Sequence, residues 1–309
     1  VLIDGAQIVG CVPHSDLPRG TPTQSLSGLT LAPGFIDIQV NGGGGVLFND
    51  DPSVETIAQI GAAHRRFGTC GFFPTLISDD LDKVDAAIRA VDTAMAQGVP
   101  GVLGIHLEGP FLNVQKKGIH DASKFLTLDA AHIDRVSALQ HGKTLLTIAP
   151  ENTSPEVVAG LVAKGCVVSA GHTNTDYNTM RAALGAGVTG FTHLFNAMSQ
   201  FINREPGVVG AALEDKGSWC GLIVDGHHLS DTALRIALAC KSPEKCILVT
   251  DAMPTVGSVE KRFTLQGQII TAERGICTSS DGTLAGSDLD MASALRNLLA
   301  RTDVSIEQG

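Results

Sequence analysis

Short apolar runs alternate with amphipathic segments along most of the chain. After residue 34, eight runs are apolar and partly β-branched, as buried strands are, and apolar residues at helical spacing fill most intervals between them. The predicted strands cover residues 35–40, 71–76, 101–107, 145–149, 166–170, 188–192, 220–224 and 246–250. The predicted helices cover residues 53–67, 81–97, 129–140, 154–163, 176–184, 230–240 and 291–301.

Eight repeats of a strand and a helix predict an α/β fold of the (β/α)8 kind, a TIM barrel. A doubly wound parallel sheet is the alternative, but eight successive units fit the closure of a barrel better. Residues 1–30 lie outside this pattern, because they are rich in Pro, Gly and Ser and contain only short β-like segments. We therefore expect residues 1–32 to belong to a small β domain and residues 33–309 to form the barrel.

Residues 166–198 form a predicted βαβ unit that contains two candidate functional histidines. A buried strand is followed by His172, a helix intervenes, and a second buried strand is followed by His193. In a βαβ unit the carboxyl ends of both parallel strands open on the same rim, so the two imidazoles are expected to be neighbours. Such a pair suggests a metal site; one capping histidine and one core histidine is the alternative.

Other predicted strands also end in polar side chains, whereas their bodies are apolar. The polar residues at these ends are Gln39, Asn41, Thr75, Glu108, Glu151, His172, His193, Asp225, His228 and Asp251. Glu108 with the two histidines gives a carboxylate and two imidazoles, which leave a coordination position for water as catalytic zinc sites do. Asp251 is placed to act as general base and then general acid. The alternatives are a loop salt bridge for Glu108 and a helix N-cap for Asp251.

Composition narrows the function classes. Lys plus Arg number 22 and Asp plus Glu number 32, which gives a net charge of −10. This balance argues against nucleic acid and against an anionic membrane surface as partners, although a few local cations could still hold a phosphorylated small molecule. The seven cysteines are scattered without a CxxC pair, and no long apolar span occurs. We therefore expect a reduced, cytoplasmic protein.

Nine ordered motifs carry a resemblance that covers nearly the whole chain. They are PGFIDIQVNG, HLEGPF, KKGIH, SAGHT, THLFNAM, REPGVVGA, DGHH, LVTDAMP and GTLAGS. Together they closely resemble the N-acetylglucosamine-6-phosphate deacetylases of the amidohydrolase superfamily. The resemblance implies the barrel, a small flanking β-sandwich, and hydrolysis of N-acetylglucosamine 6-phosphate to glucosamine 6-phosphate and acetate. It also implies that Glu108, His172 and His193 are metal ligands and that Asp251 is the acid/base.

The resemblance further implies a set of substrate contacts. His120 matches the residue that helps to polarise the acetyl carbonyl, and Arg204 matches the cation for the 6-phosphate. Arg204 could alternatively form a surface ion pair with Glu205. The other implied contacts are Gln39, Ile119, Asn196, Ala197, His228 and a loop of Leu284, Ala285 and Gly286 that closes over the sugar. The family also implies a homodimer, in which Arg204 could serve a neighbouring subunit.

Two departures from the wider superfamily bear on the cofactor and on the domains. Many members begin with His-x-His, whereas this chain has Gln39-Val40-Asn41, and amides are poor zinc ligands. We therefore expect one divalent ion, Zn2+ by ligand type, with Fe2+, Co2+ or Mn2+ as substitutes. The family continues beyond the equivalent of Gly309, so the returning strands of the small β domain are expected to be missing here.

Two other function classes stay open at this point. A different amidohydrolase acting on a cyclic amide would want His-x-His and a bridging lysine, and this sequence has neither. A catalytically inactive barrel used for binding would normally have lost a ligand or the acid/base, and all four residues are present.

Overall fold

A computed structural model describes all 309 residues, which separate into two compact units, Val1–Pro33 and Gly34–Gly309. The first unit holds an antiparallel hairpin of β1 (Leu2–Asp4) and β2 (Gln7–Gly10) and one turn of 3-10 helix. The assignment of residues 1–32 to a small β domain stays a prediction. None of the helices has both the length and the apolar character that crossing a membrane requires.

The second unit is built on eight parallel strands in sequence order, with helices between them, and this confirms the predicted barrel. The strands are β3 (Phe35–Val40), β6 (Thr69–Ile77), β7 (Gly104–Glu108), β8 (Lys143–Ile148), β9 (Val167–Ala170), β10 (Gly190–Phe191), β11 (Trp219–Leu222) and β12 (Cys246–Leu248). β10 is shorter than predicted, but the ladder continues beyond it, because the Thr192 amide donates to the Ala170 carbonyl at 2.9 Å.

Residues just beyond the strand ends close the barrel between β3 and β12. The Asn41 and Gly42 amides both donate to the Ala252 carbonyl at 2.9 Å, and the Asp251 amide donates to the Gln39 carbonyl at 3.0 Å. The closure therefore runs through the segments that carry Gln39, Asn41 and Asp251, and it holds the first and last strands of the barrel together at the rim.

Eight α-helices are present, and most begin at a Ser or Asp whose side chain accepts a backbone N–H of the first turn, the usual N-cap arrangement. They are α1 (Val54–Arg65), α2 (Leu81–Ala96), α3 (Ala130–Val136), α4 (Pro155–Ala163), α5 (Tyr177–Ala186), α6 (Gly207–Glu214), α7 (Asp231–Cys240) and α8 (Met291–Arg301).

Two of these helices differ from the sequence prediction. The predicted third helix extended to residue 140, but α3 ends at Val136. The Asp92 carboxylate accepts the Gln140 and His141 amides at 2.9 Å, which holds that backbone outside a helix. Helix α6 was not predicted. It is a short, almost wholly buried segment, so it lacks the polar face that would have marked it as amphipathic.

Antiparallel strands also occur within the second unit. A small hairpin pairs β4 (Gly42–Gly43) with β5 (Val46–Leu47), and a four-stranded sheet lies between β12 and α8. Its strands are β13 (Arg262–Leu265), β14 (Gln268–Glu273), β15 (Ile276–Thr278) and β16 (Leu284–Ser287). The prediction that residues 284–286 form a loop was wrong, because they belong to β16 and pair with β15.

Candidate active site

Glu108, His172 and His193 meet at the carboxyl rim of the barrel. Glu108 is the last residue of β7, and each histidine lies two residues beyond the end of its strand, β9 or β10. The His193 Nε2 lies 3.0 Å from Glu108 Oε1, the His172 Nε2 lies 3.3 Å from the same oxygen, and the two Nε2 atoms are 3.1 Å apart. The structure therefore places His172 and His193 side by side, as the βαβ argument from the sequence predicted, and it places Glu108 beside them.

The donor set fits a divalent ion. One ligand atom from each of the three residues lies within 4.8 Å of the others, and all three residues are buried. The His172 Nδ1 donates to the Lys116 carbonyl at 2.7 Å, so its Nε2 presents a lone pair toward the other two groups. The His193 Nδ1 is buried without a partner. One carboxylate with two imidazoles is a ligand set that zinc and related divalent ions use.

Ionisation of the cluster favours ligation. Burial alone would raise the pKa of Glu108, but the combined effect of the adjacent His172 and His193 side chains outweighs it and holds that pKa well below the usual value. Glu108 is therefore a carboxylate at neutral pH, as a ligand must be.

The side-chain amides of Gln39 and Asn41 lie against the carboxylates of Glu108 and Asp251, respectively. The Gln39 Nε2 lies 3.3 Å from each oxygen of Glu108, and the Asn41 Nδ2 donates to Asp251 Oδ1 at 2.6 Å. Gln39 is only 2% exposed. Both amides thus turn N–H groups, not oxygens, toward the carboxylates, and an amide N–H is not a metal ligand.

Asp251 lies in the same site as the three proposed ligands. Burial and the nearby charge of Glu108 raise the pKa of Asp251 to about 6, with smaller opposing contributions from His193, His228 and Asn41. A carboxyl group with a pKa close to neutrality can both accept and return a proton, which is what a general base that later acts as an acid must do.

His120 provides a neutral hydrogen-bond donor. Its Nδ1 lies 2.9 Å from the Ser78 hydroxyl and accepts the Ser78 amide at 3.3 Å, so the ring proton resides on Nε2. Burial lowers the pKa of His120 well below its usual value, and the charges of the neighbouring histidines add to this. Its ring packs against that of His172, with centroids 4.5 Å apart.

These groups surround a cavity of about 260 Å³. Eleven of the predicted site residues line it, and they are Glu108, Ile119, His120, His172, His193, Asn196, Ala197, His228, Asp251, Leu284 and Gly286. Sequence reasoning missed Ile77, Gly118, Met253 and Thr283, which also line it. Gly118, Met253 and Thr283 lie within or beside the quoted motifs, so only Ile77 lacked a signal.

Three predicted substrate contacts do not line this cavity. Gln39 contacts Glu108 and does not reach the cavity, and Ala285 is a fully buried residue of β16. Arg204 is exposed and forms no ion pair, and in particular none with Glu205, whose side chain instead accepts the Tyr177 amide at 3.1 Å. The predicted roles of all three stay predictions.

His228 is held by its own loop. Its Nδ1 lies 2.6 Å from Asp225 Oδ2, while the other oxygen of Asp225 accepts the His227 and His228 amides at 2.8 Å. Burial disfavours the charge of Asp225, but the hydrogen bond and charge of His228 and the backbone N–H groups of His227 and His228 together outweigh it, so the pKa of Asp225 is lowered. The ring is thus fixed with Nδ1 toward Asp225, which leaves Nε2 as its other polar atom.

A (β/α)8 barrel with a carboxylate, two imidazoles and a separate aspartate at its carboxyl rim defines a barrel hydrolase of the metal-dependent class. The sequence agrees, since residues 30–308 match the model of the amidohydrolase family. The chain belongs to that family.

Proteins to which the chain is clearly similar carry names that are more specific than the family. The chain is 43% identical, over 89% of its length and 70% of the other protein, to an N-acetylgalactosamine-6-phosphate deacetylase from Shewanella sp. (strain ANA-3). It is 34% identical, over 100% of its length and 81% of the other protein, to the N-acetylglucosamine-6-phosphate deacetylase of Haemophilus influenzae.

Solved structures give the same picture. The N-acetylglucosamine-6-phosphate deacetylase from Pasteurella multocida superimposes with a TM-score of 0.95 at 32% identity, covering 99% of this chain and 80% of that one. A mutant of the Mycobacterium smegmatis enzyme in complex with N-acetyl-D-glucosamine-6-phosphate gives a TM-score of 0.83 at 31% identity, covering 89% of this chain and 72% of that one.

Proposed function

We propose that this protein hydrolyses the acetamide of a 6-phosphorylated N-acetylhexosamine and releases acetate and the amino-sugar phosphate. The observation that carries the proposal is the convergence of Glu108, His172 and His193 with Asp251 and His120 around one cavity. The cavity of about 260 Å³ has room for a ligand of the size of a monosaccharide.

Glu108, His172 and His193 would hold one divalent ion, with Zn2+ as the first choice by ligand type and Fe2+, Co2+ or Mn2+ as substitutes. When bound, such an ion supplies Lewis acidity for the acetyl carbonyl and lowers the pKa of water next to it.

The protein's own groups handle the protons. Asp251 takes a proton from the attacking water, and it later delivers that proton to the departing nitrogen of the amino sugar. Because its pKa of about 6 is close to neutrality, Asp251 can both accept this proton and release it. The Asn41 amide fixes one carboxylate oxygen of Asp251, at 2.6 Å, and leaves the other available for the transfer. His120, neutral and with its proton on Nε2, donates to the oxygen on which negative charge develops.

The phosphate group of the substrate needs cationic side chains around it, and the cavity of a single chain has few of them. His228 lines the cavity, whereas Arg204 lies exposed outside it. A homodimer in which Arg204 reaches the cavity of the neighbouring subunit is consistent with this exposure, and a guanidinium fork suits phosphate oxygens. Asn196, Ala197, Ile119 and the β16 residues complete the proposed contacts. We place the protein in the cytoplasm, where a sugar phosphate is retained.

The configuration of the sugar has two candidates. N-acetylglucosamine 6-phosphate is the substrate named for most of the relatives, but the relative at 43% identity is named for the galacto epimer. The two epimers differ only at C4, far from the acetamide, so the same chemistry serves either one.

Acetate release decides the proposal. Purified protein loaded with Zn2+ is incubated with each phosphorylated epimer and with unphosphorylated N-acetylglucosamine. We expect acetate from at least one sugar phosphate and little from the free sugar. The ratio of kcat/KM for the two epimers then assigns the configuration. Protein that holds the ion but releases acetate from neither sugar phosphate would refute the proposed function and favour a binding role or a cyclic amide substrate.

A further inference from the structure

A chain of buried polar side chains crosses the barrel interior just below the proposed metal ligands. It is formed by Thr75, His106, Thr147, Ser169 and Thr192, which we call the polar belt. None of these residues is more than 3% exposed, and no step of the proposed reaction uses them. Buried polar groups are costly unless they are satisfied, so a continuous chain of them in a barrel interior calls for an explanation.

The first half of the polar belt is centred on His106. The Thr75 hydroxyl oxygen accepts the Val40 amide at 2.9 Å and lies 3.1 Å from His106 Nδ1. The His106 Nε2 lies 2.8 Å from the Thr147 hydroxyl oxygen. Each nitrogen of the imidazole therefore has a hydroxyl partner, one nitrogen as donor and the other as acceptor.

The second half continues in the same direction through hydroxyl groups. Thr147 and Thr192 are joined by a hydrogen bond of 2.7 Å, and Thr192 and Ser169 by one of 2.8 Å. Each hydroxyl has one proton to give, so the position of the ring proton of His106 sets the direction of donation along the whole chain. Hydrogen bonds aligned in this way strengthen one another and define a single arrangement of the strands that carry them.

The polar belt contacts the backbone that carries each proposed ligand. His106 lies two residues before Glu108 on the same strand, and Thr192 immediately precedes His193. The third ligand, His172, follows Gly171, whose backbone is so close to the belt that an added Cβ would lie 2.7 Å from Thr147 Cγ2 and 2.9 Å from Thr192 Cβ.

We propose that the polar belt positions the proposed metal ligands. It fixes how far the ends of neighbouring strands extend along the barrel axis, and thereby the spacing of Glu108, His172 and His193. Groups behind the ligands that set their orientation typically change metal affinity about ten- to a hundredfold when they are removed. The inference rests on the proposed ligand set, and it adds residues that contact neither the substrate nor the ion.

Thr147→Val tests the inference, because it removes one hydroxyl in the middle of the polar belt at nearly constant volume. It leaves the His106 Nε2 without its hydrogen-bond partner and cuts the chain between His106 and Thr192. Thr147→Ser keeps the hydroxyl and serves as the rescue variant. Thr144→Val is the matched control, since Thr144 is a buried residue of the same strand whose hydroxyl makes no side-chain hydrogen bond.

The readouts are the Zn2+ dissociation constant from chelator competition, the visible absorption spectrum of the Co2+-loaded protein, and the melting temperature without metal. We expect Thr147→Val to raise the dissociation constant about ten- to a hundredfold and to alter the Co2+ spectrum. Thr147→Ser and Thr144→Val should retain the affinity and spectrum of the unaltered protein.

A lower melting temperature of Thr147→Val with unchanged affinity and an unchanged Co2+ spectrum would overturn the inference, because the polar belt would then only stabilise the fold. An equal loss of affinity in Thr144→Val would overturn it as well. These results leave the proposed deacetylation intact. If the unaltered protein bound no divalent ion, the ligand set itself would be wrong, and the proposed function would fall together with the inference.

Discussion

The stability of the barrel should depend on pH through Asp37, a fully buried carboxyl group at the junction of the first and last strands. Its Oδ2 accepts the Thr250 hydroxyl at 2.5 Å, and its Oδ1 accepts the Gln39 and Thr250 amides at 3.2 and 3.3 Å. Burial raises the pKa of Asp37 from 3.8 to about 7, because these hydrogen bonds only partly offset the cost of desolvating the charge.

The sign and size of the effect follow from this difference. Below pH 3.8 the group is protonated in both the folded and the unfolded protein, and its contribution to stability is fully present. Between that pH and about 7 the folded protein holds a proton that the unfolded chain has lost, so stability falls as pH rises and levels off above pH 7. About three pH units at roughly 1.4 kcal/mol each give a total near 4 kcal/mol.

Asp37→Asn should remove this dependence while it keeps the junction. The amide oxygen can still accept the two backbone N–H groups, and the amide nitrogen can donate to Thr250 Oγ1, whose proton turns to the Gln39 carbonyl at 3.4 Å. Relative to the unaltered protein, the variant should gain about 4 kcal/mol in free energy of unfolding between pH 4 and 8.

Urea unfolding of both proteins across this pH range measures that gain, and the difference between them cancels contributions from all other groups. Asp303→Asn, at an exposed carboxylate without an ion pair, is the control substitution. A difference between Asp37→Asn and the unaltered protein that does not change with pH would refute the reasoning about the buried charge.

Three further predictions concern the site and its support. Elemental analysis should find about one divalent ion per active chain, since Gln39 and Asn41 offer N–H groups to the carboxylates; two ions that are both needed for turnover would contradict this. Arg204→Ala should raise KM for the phosphorylated sugar by roughly ten- to a hundredfold and hardly change the activity on the free sugar, and equal losses on both would assign Arg204 a structural role. Lys241→Met should lower the free energy of unfolding by about 1–3 kcal/mol, because the Lys241 ammonium donates to the Ala212 carbonyl and the Ser218 hydroxyl at 3.0 Å; urea unfolding that shows no loss would contradict it.

The barrel could be predicted from the sequence because each strand is a short apolar run that ends in a polar residue. The same pattern located Glu108, His172 and His193, since the carboxyl ends of parallel strands must share a rim. The sheet of β13 to β16 was missed, although a signal exists. Gln266-Gly267 and Arg274-Gly275 both have positive φ, as two-residue hairpin turns require, and polar–Gly pairs between alternating strands indicate such turns.

Other features could not be predicted from one sequence. The pairing of Gln39 with Glu108 and of Asn41 with Asp251 depends on the register between strands that are far apart in the chain, and hydrophobic periodicity does not report that register. The polar belt depends in the same way on how the strands are staggered. Its threonines appear in the sequence as ordinary β-branched strand residues.

Measuring both acetate release and metal content of the Asp251→Asn variant tests the proposed chemistry most directly. The substitution removes the group that accepts and returns the proton, but it leaves Glu108, His172 and His193 unchanged. We predict a metal content equal to that of the unaltered protein and a fall in kcat by a factor of about 10²–10⁴, the usual contribution of a general acid–base. Near-normal acetate release from a metal-loaded Asp251→Asn protein would contradict the proposed chemistry.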